Sequence, residues 1–318
     1  MITKRQFLAG SLGAAALAVS ARGASAQEVP KEFRVGFQKS SGILVTARQQ
    51  QALEKHLKPL GVENVKWIEF QFGPPLLEAL GSGSVDIGTV GDTPPIFAQA
   101  AGANLLYVAS APATQNATLV QKDSPIKTVA DLKGKKVAFA KGSSSHNFIV
   151  QALKKNGLRY TDIEPVFLAP ADAAAAFASN RVDAWTVWDP YYALAQKRHD
   201  ARAIVTTADG LPSHSFYLAN KGLVERSPRT VQGALDALRE VTAWAAQNRD
   251  KVAALTSELT GVEYEAQKIA TDRYPIEFNP VTQTAIRQQQ EIADTFLELN
   301  LIPRKITVTD IVWSQARA

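Results

Sequence analysis

One phrase of this sequence is written twice. Arg34-Val35-Gly36-Phe37-Gln38-Lys39-Ser40-Ser41 returns 102 positions later as Lys136-Val137-Ala138-Phe139-Ala140-Lys141-Gly142-Ser143. A second phrase, Val85-Asp86-Ile87-Gly88-Thr89-Val90-Gly91-Asp92, returns 97 positions later as Val182-Asp183-Ala184-Trp185-Thr186-Val187-Trp188-Asp189. Each copy is a short apolar run that leads through a polar turn into residues at helical spacing, the pattern of strand, turn and helix. The second phrase runs on each occasion into a proline, Pro94 or Pro190, where a helix can begin because the missing N–H is not needed. Two echoes in the same order restrict the fold class to α/β with two similar lobes. Their matching turns would face each other across a cleft.

The chain in order supports that division. Strands are predicted at 33–38, 65–70, 85–90 and 105–109, with a helix over 43–57 carrying Leu44, Leu53 and Leu57 on its apolar side. After 217 the pattern turns helical: Val231, Leu235, Leu238 and Val241 share one face, Val252, Leu255 and Leu259 continue it, and Ile286 to Leu299 makes a last helix. No new strand-turn-helix unit appears there, so this tail should pack back onto the first lobe. Lobe one is expected to comprise 27–117 plus 218–318 and lobe two 118–217, with two crossings that make a hinge.

The first 26 residues read differently. Lys4 and Arg5 precede an apolar or small-residue run from Leu8 to Ala21, and Ala24-Ser25-Ala26 has the form of a processing site. That is an export signal, 1–26, too short for a membrane span. Lys4-Arg5 resembles a twin-arginine pair with its first arginine replaced, so both Tat and Sec routes stay open. Its removal takes three cations and no acid, lowering the net charge from +5 to +2. No basic block or basic-aromatic interleaving remains, which argues against a nucleic-acid partner. The chain has no Cys and its single Met is Met1; a protein made in quantity when sulfur is scarce would be composed this way.

Further segments carry a resemblance. Gly73-Pro74-Pro75, Gly91-Asp92-Thr93-Pro94-Pro95 through Ala103, Ser124-Pro125-Ile126 with Ala130 to Gly134, Lys141 to Asn147, and Trp188-Asp189-Pro190-Tyr191-Tyr192 are similar to the aliphatic sulfonate-binding proteins, periplasmic receptors of ABC importers akin to the taurine and nitrate receptors. The likeness covers about 30 to 313. It implies a two-lobed periplasmic-binding-protein fold (type II-like), closure on a small alkanesulfonate, and docking on an importer permease in the inner membrane by a monomer without cofactor.

A sulfonate is charged at any physiological pH, yet neutral donors can hold it, each hydrogen bond to the charged group contributing roughly 1.5–3 kcal/mol. Ser143, Ser144 and Ser145 place hydroxyls and N–H groups at a helix start. Gln38 and Ser40 would face them from the first turn of lobe one, and Gly91 and Thr93 from its second. Asp92 and Asp189 either cap the helices at 93 and 190 or meet a polar tail. Trp188, opposite a glycine in the repeat, suits an apolar chain. His146 is a structural residue or a donor behind the site. Lys39 and Lys141 read as solvated or lobe-bridging.

Rival readings remain. Taurine, nitrate or a sulfate ester are alternative ligands, and taurine's ammonium would need Asp92 or Asp189. Fold-related sulfinate-processing enzymes depend on cysteine, which is absent here. The four histidines (56, 146, 199 and 214) lack metal spacing, and no G-x-S-x-G elbow occurs. A sensory domain would need a relay element, and none is evident.

Overall fold

The structure, a computed structural model, describes residues 28–314; the expected export signal lies outside the described residues. The first lobe opens with β1 (Glu32–Phe37), α1 (Gly42–Gln49), α2 (Ala52–Leu57), β2 (Asn64–Glu69), α3 (Gly73–Gly81), β3 (Ile87–Gly91), α4 (Thr93–Ala100) and β4 (Leu105–Pro112). The second contains β5 (Asn116–Val120), β6 (Lys136–Phe139), α5 (Ser144–Lys155), β7 (Glu164–Phe167), α6 (Pro170–Ala178), β8 (Ala184–Trp188), α7 (Tyr191–His199) and β9 (Arg202–Thr206). The chain then returns through β10 (His214–Asn220) to α8 (Lys221–Arg226), α9 (Pro228–Ala246), α10 (Arg249–Thr260), α11 (Tyr264–Asp272) and α12 (Gln283–Glu298).

Two five-stranded sheets result, ordered β2-β1-β3-β10-β4 and β7-β6-β8-β5-β9. In each, three strands are parallel and the fourth runs antiparallel to both its neighbours. The antiparallel member is in each case the strand that has just crossed from the other lobe, so β5 and β10 tie the two sheets together. Sheet membership changes between Pro112 and Asn116 and again between Thr206 and His214. Residues 116–117 therefore pair in the second sheet and 214–217 in the first, a few positions earlier than boundaries at 118 and 218.

The repeated phrases occupy equivalent places. Gly36 faces Gly88 across β1 and β3, and their echoes Ala138 and Trp185 face each other across β6 and β8. The Val-Asp pair that opens the second phrase has the same task in both lobes. Asp86 donates its N–H to the Arg34 carbonyl at 2.8 Å and its carboxylate accepts the Arg34 N–H at 2.7 Å. Asp183 does the same to Lys136, at 2.9 and 2.7 Å. A carboxylate taking a backbone N–H fixes where each parallel pair starts.

Hydrophobic periodicity in the tail is honoured: Val231, Leu235, Leu238 and Val241 of α9 are buried with Leu44, Leu53 and Leu57 in one core. Val252 is buried in that core too, and Ile286 joins Leu76, Leu77 and Leu80 in a second. The tail also reaches lobe two, where Ala193 packs with Val262 and Ala266. The expected helix over 43–57 is broken: Gln51 takes φ of 52°, which ends α1 and restarts the chain as α2.

Asp86→Ala should cost about 2–4 kcal/mol, because it removes a buried carboxylate and strands the Arg34 guanidinium bonded to it at 2.8 Å. Asp183, exposed and bonded only to backbone, should cost about 1 kcal/mol on the same change. Urea midpoints of the two variants measure the difference.

Candidate functional site

The two copies of the first phrase deliver two helices to the space between the lobes. Ser41 precedes α1 and its echo Ser143 precedes α5. An α-helix leaves its first N–H groups without carbonyl partners, and usually a side chain caps them. Here neither serine does so. The Ser41 hydroxyl accepts the N–H of Gln38 at 3.0 Å, while Ser143 donates to the Ala140 carbonyl at 2.7 Å and bonds Ser145 at 2.8 Å. Among the described residues, no backbone carbonyl accepts from the N–H groups of Ile43, Leu44, Ser144 or Ser145. Both helix starts are therefore open donors carrying positive dipole ends.

Between them lies a cleft with about 790 Å³ of empty space within and at its mouth. Gln38, Ser40, Ser41, Ser143, Ser144 and Asn116 supply polar side chains to it. Gln38 is held by a bond from its Nε2 to the Thr89 carbonyl at 2.9 Å, and Ser144 reaches the Asn116 side chain at 3.4 Å. Ile43, Val90, Ile276, Trp188, Tyr217 and Tyr274 supply apolar surface. Among the described residues, Glu277 is the one charged side chain lining it, and no cation does so. Burial pushes the Tyr274 phenol up to about 12, so it stays a neutral group.

The lobes approach closely here. A Cβ placed on Gly91 would fall 2.6 Å from the Ser144 Cβ and 3.0 Å from its hydroxyl oxygen. The end of β3 thus meets the start of α5 with room only for a glycine.

The arrangement has known counterparts. A family profile described as NMT1/THI5 like matches residues 70–252. A protein of Escherichia coli (strain K12) named for binding aliphatic sulfonates is 43% identical over 93% of this chain and 93% of its own. The chain belongs to the aliphatic sulfonate-binding protein family. The solved periplasmic aliphatic sulphonate binding protein SsuA from Escherichia coli superposes with a TM-score of 0.81 at 42% identity, covering 90% of this chain and 92% of that one. The alkanesulfonate-binding protein SsuA from Xanthomonas axonopodis pv. citri, solved bound to MOPS, gives 0.84 at 36% identity, covering 90% and 99%. Members of this family are receptors, and the chain is a binding protein, not an enzyme.

Within this family member the residues singled out from sequence separate into two groups. Gln38, Ser40, Gly91, Ser143, Ser144 and Trp188 line the cleft. Asp92, Thr93, Ser145, His146 and Asp189 lie outside that lining, each with partners of its own. Asp92 does not cap α4. Its buried carboxylate accepts Thr93 Oγ1 at 2.8 Å, Asn147 Nδ2 at 2.9 Å and Ser213 Oγ at 3.0 Å, and burial raises its pKa. Thr93 is thereby turned away, and Pro94 and Pro95 remove the N–H groups that α4 would otherwise present. Asp189 does cap: it accepts the Ala193 N–H at 3.1 Å, and burial, opposed by Arg273, pushes its carboxyl up to about 6. His146 packs among Phe97, Phe139 and Phe296, with Nδ1 accepting the Gly142 N–H at 3.2 Å and Nε2 3.0 Å from the Tyr160 hydroxyl. Lys39 bonds the Thr260 carbonyl at 2.5 Å, and Lys141 sits over the Phe167 ring at 5.5 Å.

Sequence reasoning missed Ser41, Asn116, Thr114, Tyr274 and Glu277. The repeat could have found Ser41, since it is the echo of Ser143. Asn116 and Thr114 stand at the crossing, and Tyr274 and Glu277 in a loop of the tail; neither segment belongs to a repeated phrase.

Gly91→Ala should leave each lobe folded and obstruct their approach. Ligand affinity should fall about tenfold or more by titration calorimetry, with partial recovery in Gly91→Ala with Ser144→Gly, which removes the opposing Cβ. His146 gives a pH signature. Burial, and secondarily Lys141, lowers its pKa from 6.5 to about 3, so below 6.5 the unfolded chain takes up a proton that the native ring refuses. Its contribution to stability is complete above 6.5 and is lost as pH falls toward 3. Thermal melts at pH 7.5 and 4.5 should therefore differ more in the wild type than in His146→Phe.

Proposed function

We propose that this chain is exported by its N-terminal segment, captures an aliphatic sulfonate between its lobes in the periplasm, and delivers it as a monomer to the permease of an ABC importer. The observation that carries the reading is the pair of open helix starts converging on a cleft without a cation. An SO₃⁻ group offers three oxygens at tetrahedral directions, enough to accept from both helix starts and from Ser144, Gln38 or Asn116 together. Four or five bonds of roughly 1.5–3 kcal/mol each supply a gross attraction near the ~8 kcal/mol of a micromolar complex, before association entropy is subtracted. Burying a cation beside the anion would add its own desolvation cost. The alkyl portion has Trp188, Tyr217 and Ile276 to lie against.

The apolar lining of Trp188, Tyr217 and Ile276 supports this choice over a plain inorganic anion, because nitrate has no use for it. For taurine, Asp92 and Asp189 are already engaged by neighbouring residues, which leaves Glu277 as the carboxylate for an ammonium.

Titration calorimetry of the purified protein against ethanesulfonate, butanesulfonate, MOPS, taurine, nitrate and sulfate tests the reading. Micromolar or tighter binding of the organic sulfonates, with affinity rising from ethane- to butanesulfonate, is the expected result. Heat from nitrate or sulfate alone would overturn it.

A further inference from the structure

Arg273 follows the last residue of α11, in the tail that packs on lobe one, yet its guanidinium partners belong to lobe two. Its Nη1 donates to both carboxylate oxygens of Asp189, at 3.1 and 3.3 Å, and its Nη2 donates to Gln196 Oε1. The same group lies 4.0 Å from the centre of the Tyr192 ring. Asp189 stands at the junction of β8 and α7, and Tyr192 and Gln196 lie on α7 itself. The Asp189 side chain is 1% exposed and Arg273 is 20% exposed, so the pair is largely out of water. Beside it a second, exposed pair joins Arg198 of α7 to Glu263 at 2.5 Å.

Arg273 does not line the ligand cleft, whereas Tyr274, Pro275, Ile276 and Glu277, which follow it, do. Tyr274 stands beside the start of α1, its hydroxyl 3.3 Å from where a Cβ on Gly42 would be, and its carbonyl accepts from Arg249 at 3.0 Å. One side chain thus joins the lobes, and the residues that follow it line the cleft.

We propose that Arg273 is a positioning residue for ligand capture: its pairing with Asp189 exists only while the lobes are together, holds the 274–277 wall against the cleft, and sets how long a ligand stays bound. The chemistry follows from the burial. Closing the lobes removes water from the Asp189 carboxylate, and a buried carboxylate without a cation is unfavourable. With Arg273 in place closure supplies the counter-charge; without it closure is opposed. Loss of one partner of such a pair acts chiefly on dissociation rather than association. The proposal rests on capture of a ligand between the lobes and extends it to a residue that the ligand does not touch.

The absence of native cysteine makes the test direct. Lys58→Cys and Lys154→Cys, both exposed and one on each lobe, carry a label pair that reports the interlobe distance. In this background Arg273→Gln should release butanesulfonate about 10- to 100-fold faster than the parent with little change in association rate. It should also populate the longer distance more, with and without ligand. Asp189→Asn with Arg273→Gln, which leaves no charge stranded, should recover most of that loss, and Arg273→Lys should fall between. Unchanged melting temperatures separate this from damage to the fold. Release from Arg273→Gln at the parent's rate, or a double variant no better than the single one, would overturn the proposal. If the parent bound no sulfonate at all, the functional reading would fail and the unliganded label distance alone would decide the role of Arg273.

Discussion

Everything at this site depends on backbone N–H groups that the fold declines to use. The starts of α1 and α5 are left uncapped because Ser41 and Ser143 spend their hydroxyls on the turns that precede them. Those turns bring the two helix starts to a common point, and a common point rich in N–H groups is suited to an anion. The surrounding charges are consistent with this. Lys39 and Lys141 are drawn away to a carbonyl and a ring, Asp92 is engaged by side chains from more than one element, and Asp189 by the Arg273 guanidinium and the Ala193 N–H. What remains at the cleft, among the described residues, is neutral polar groups and apolar surface, with Glu277 the single charge.

The duplication explains why there are two such helices, and the departures from it explain why the cleft is not symmetric. At the facing position where lobe one has Gly36 and Gly88, lobe two has Ala138 and Trp185. In lobe one a Cβ on Gly88 would fall 2.7 Å from Leu76 and 3.0 Å from the Gly36 carbonyl oxygen, so a copy of Trp185 has no place there. At the end of the same strands, Gly91 admits Ser144 of the other lobe while its echo Trp188 fills the cleft with an indole. One end of each repeated strand is thus used for packing, and the other lines the cleft. The substitution of a ring for a hydrogen atom at that second end gives the site a polar and an apolar side.

The parts of this arrangement legible in the sequence were those stated twice or at fixed spacing. Two echoes in register revealed both sheets and the two turns that lead into the uncapped helix starts, because a strand that must begin at the same backbone bond needs the same Val-Asp start. The buried face of α9 followed from steps of three and four. The break at Gln51 escaped the same reasoning, since Leu44, Leu53 and Leu57 fit one helical face whether or not the axis is continuous; only the left-handed φ of Gln51 shows the break. The aspartates were ambiguous for a physical reason as well. A carboxylate next to a helix start can cap it, as Asp189 does, or be taken by donors distant in sequence, as Asp92 is by Asn147 and Ser213, and nothing local distinguishes the two. Arg273 and Tyr274 belong to neither a repeat nor a periodic face, and their roles exist only once the tail has packed across the cleft.

Sulfur, finally, is absent from residues 2–318, which contain neither Cys nor Met, and the structure shows how the interior manages. Methionine is the flexible filler of irregular gaps; a core without it must be closed by shape. Here rings and branched chains do that work: Phe97, Phe139, Phe167 and Phe296 surround His146 with centroids 5.0 to 6.3 Å away, and Tyr107 meets Phe216 edge-on at 4.9 Å. These contacts include a place where lobe-one rings, Phe97 and Phe296, rest on a lobe-two side chain, the imidazole of His146. Rigid rings packed at the boundary between the lobes favour a few discrete arrangements over a continuum, because rings that have slipped out of register leave voids. A composition without sulfur after Met1 suits a protein whose family is named for binding sulfonates, which carry that element.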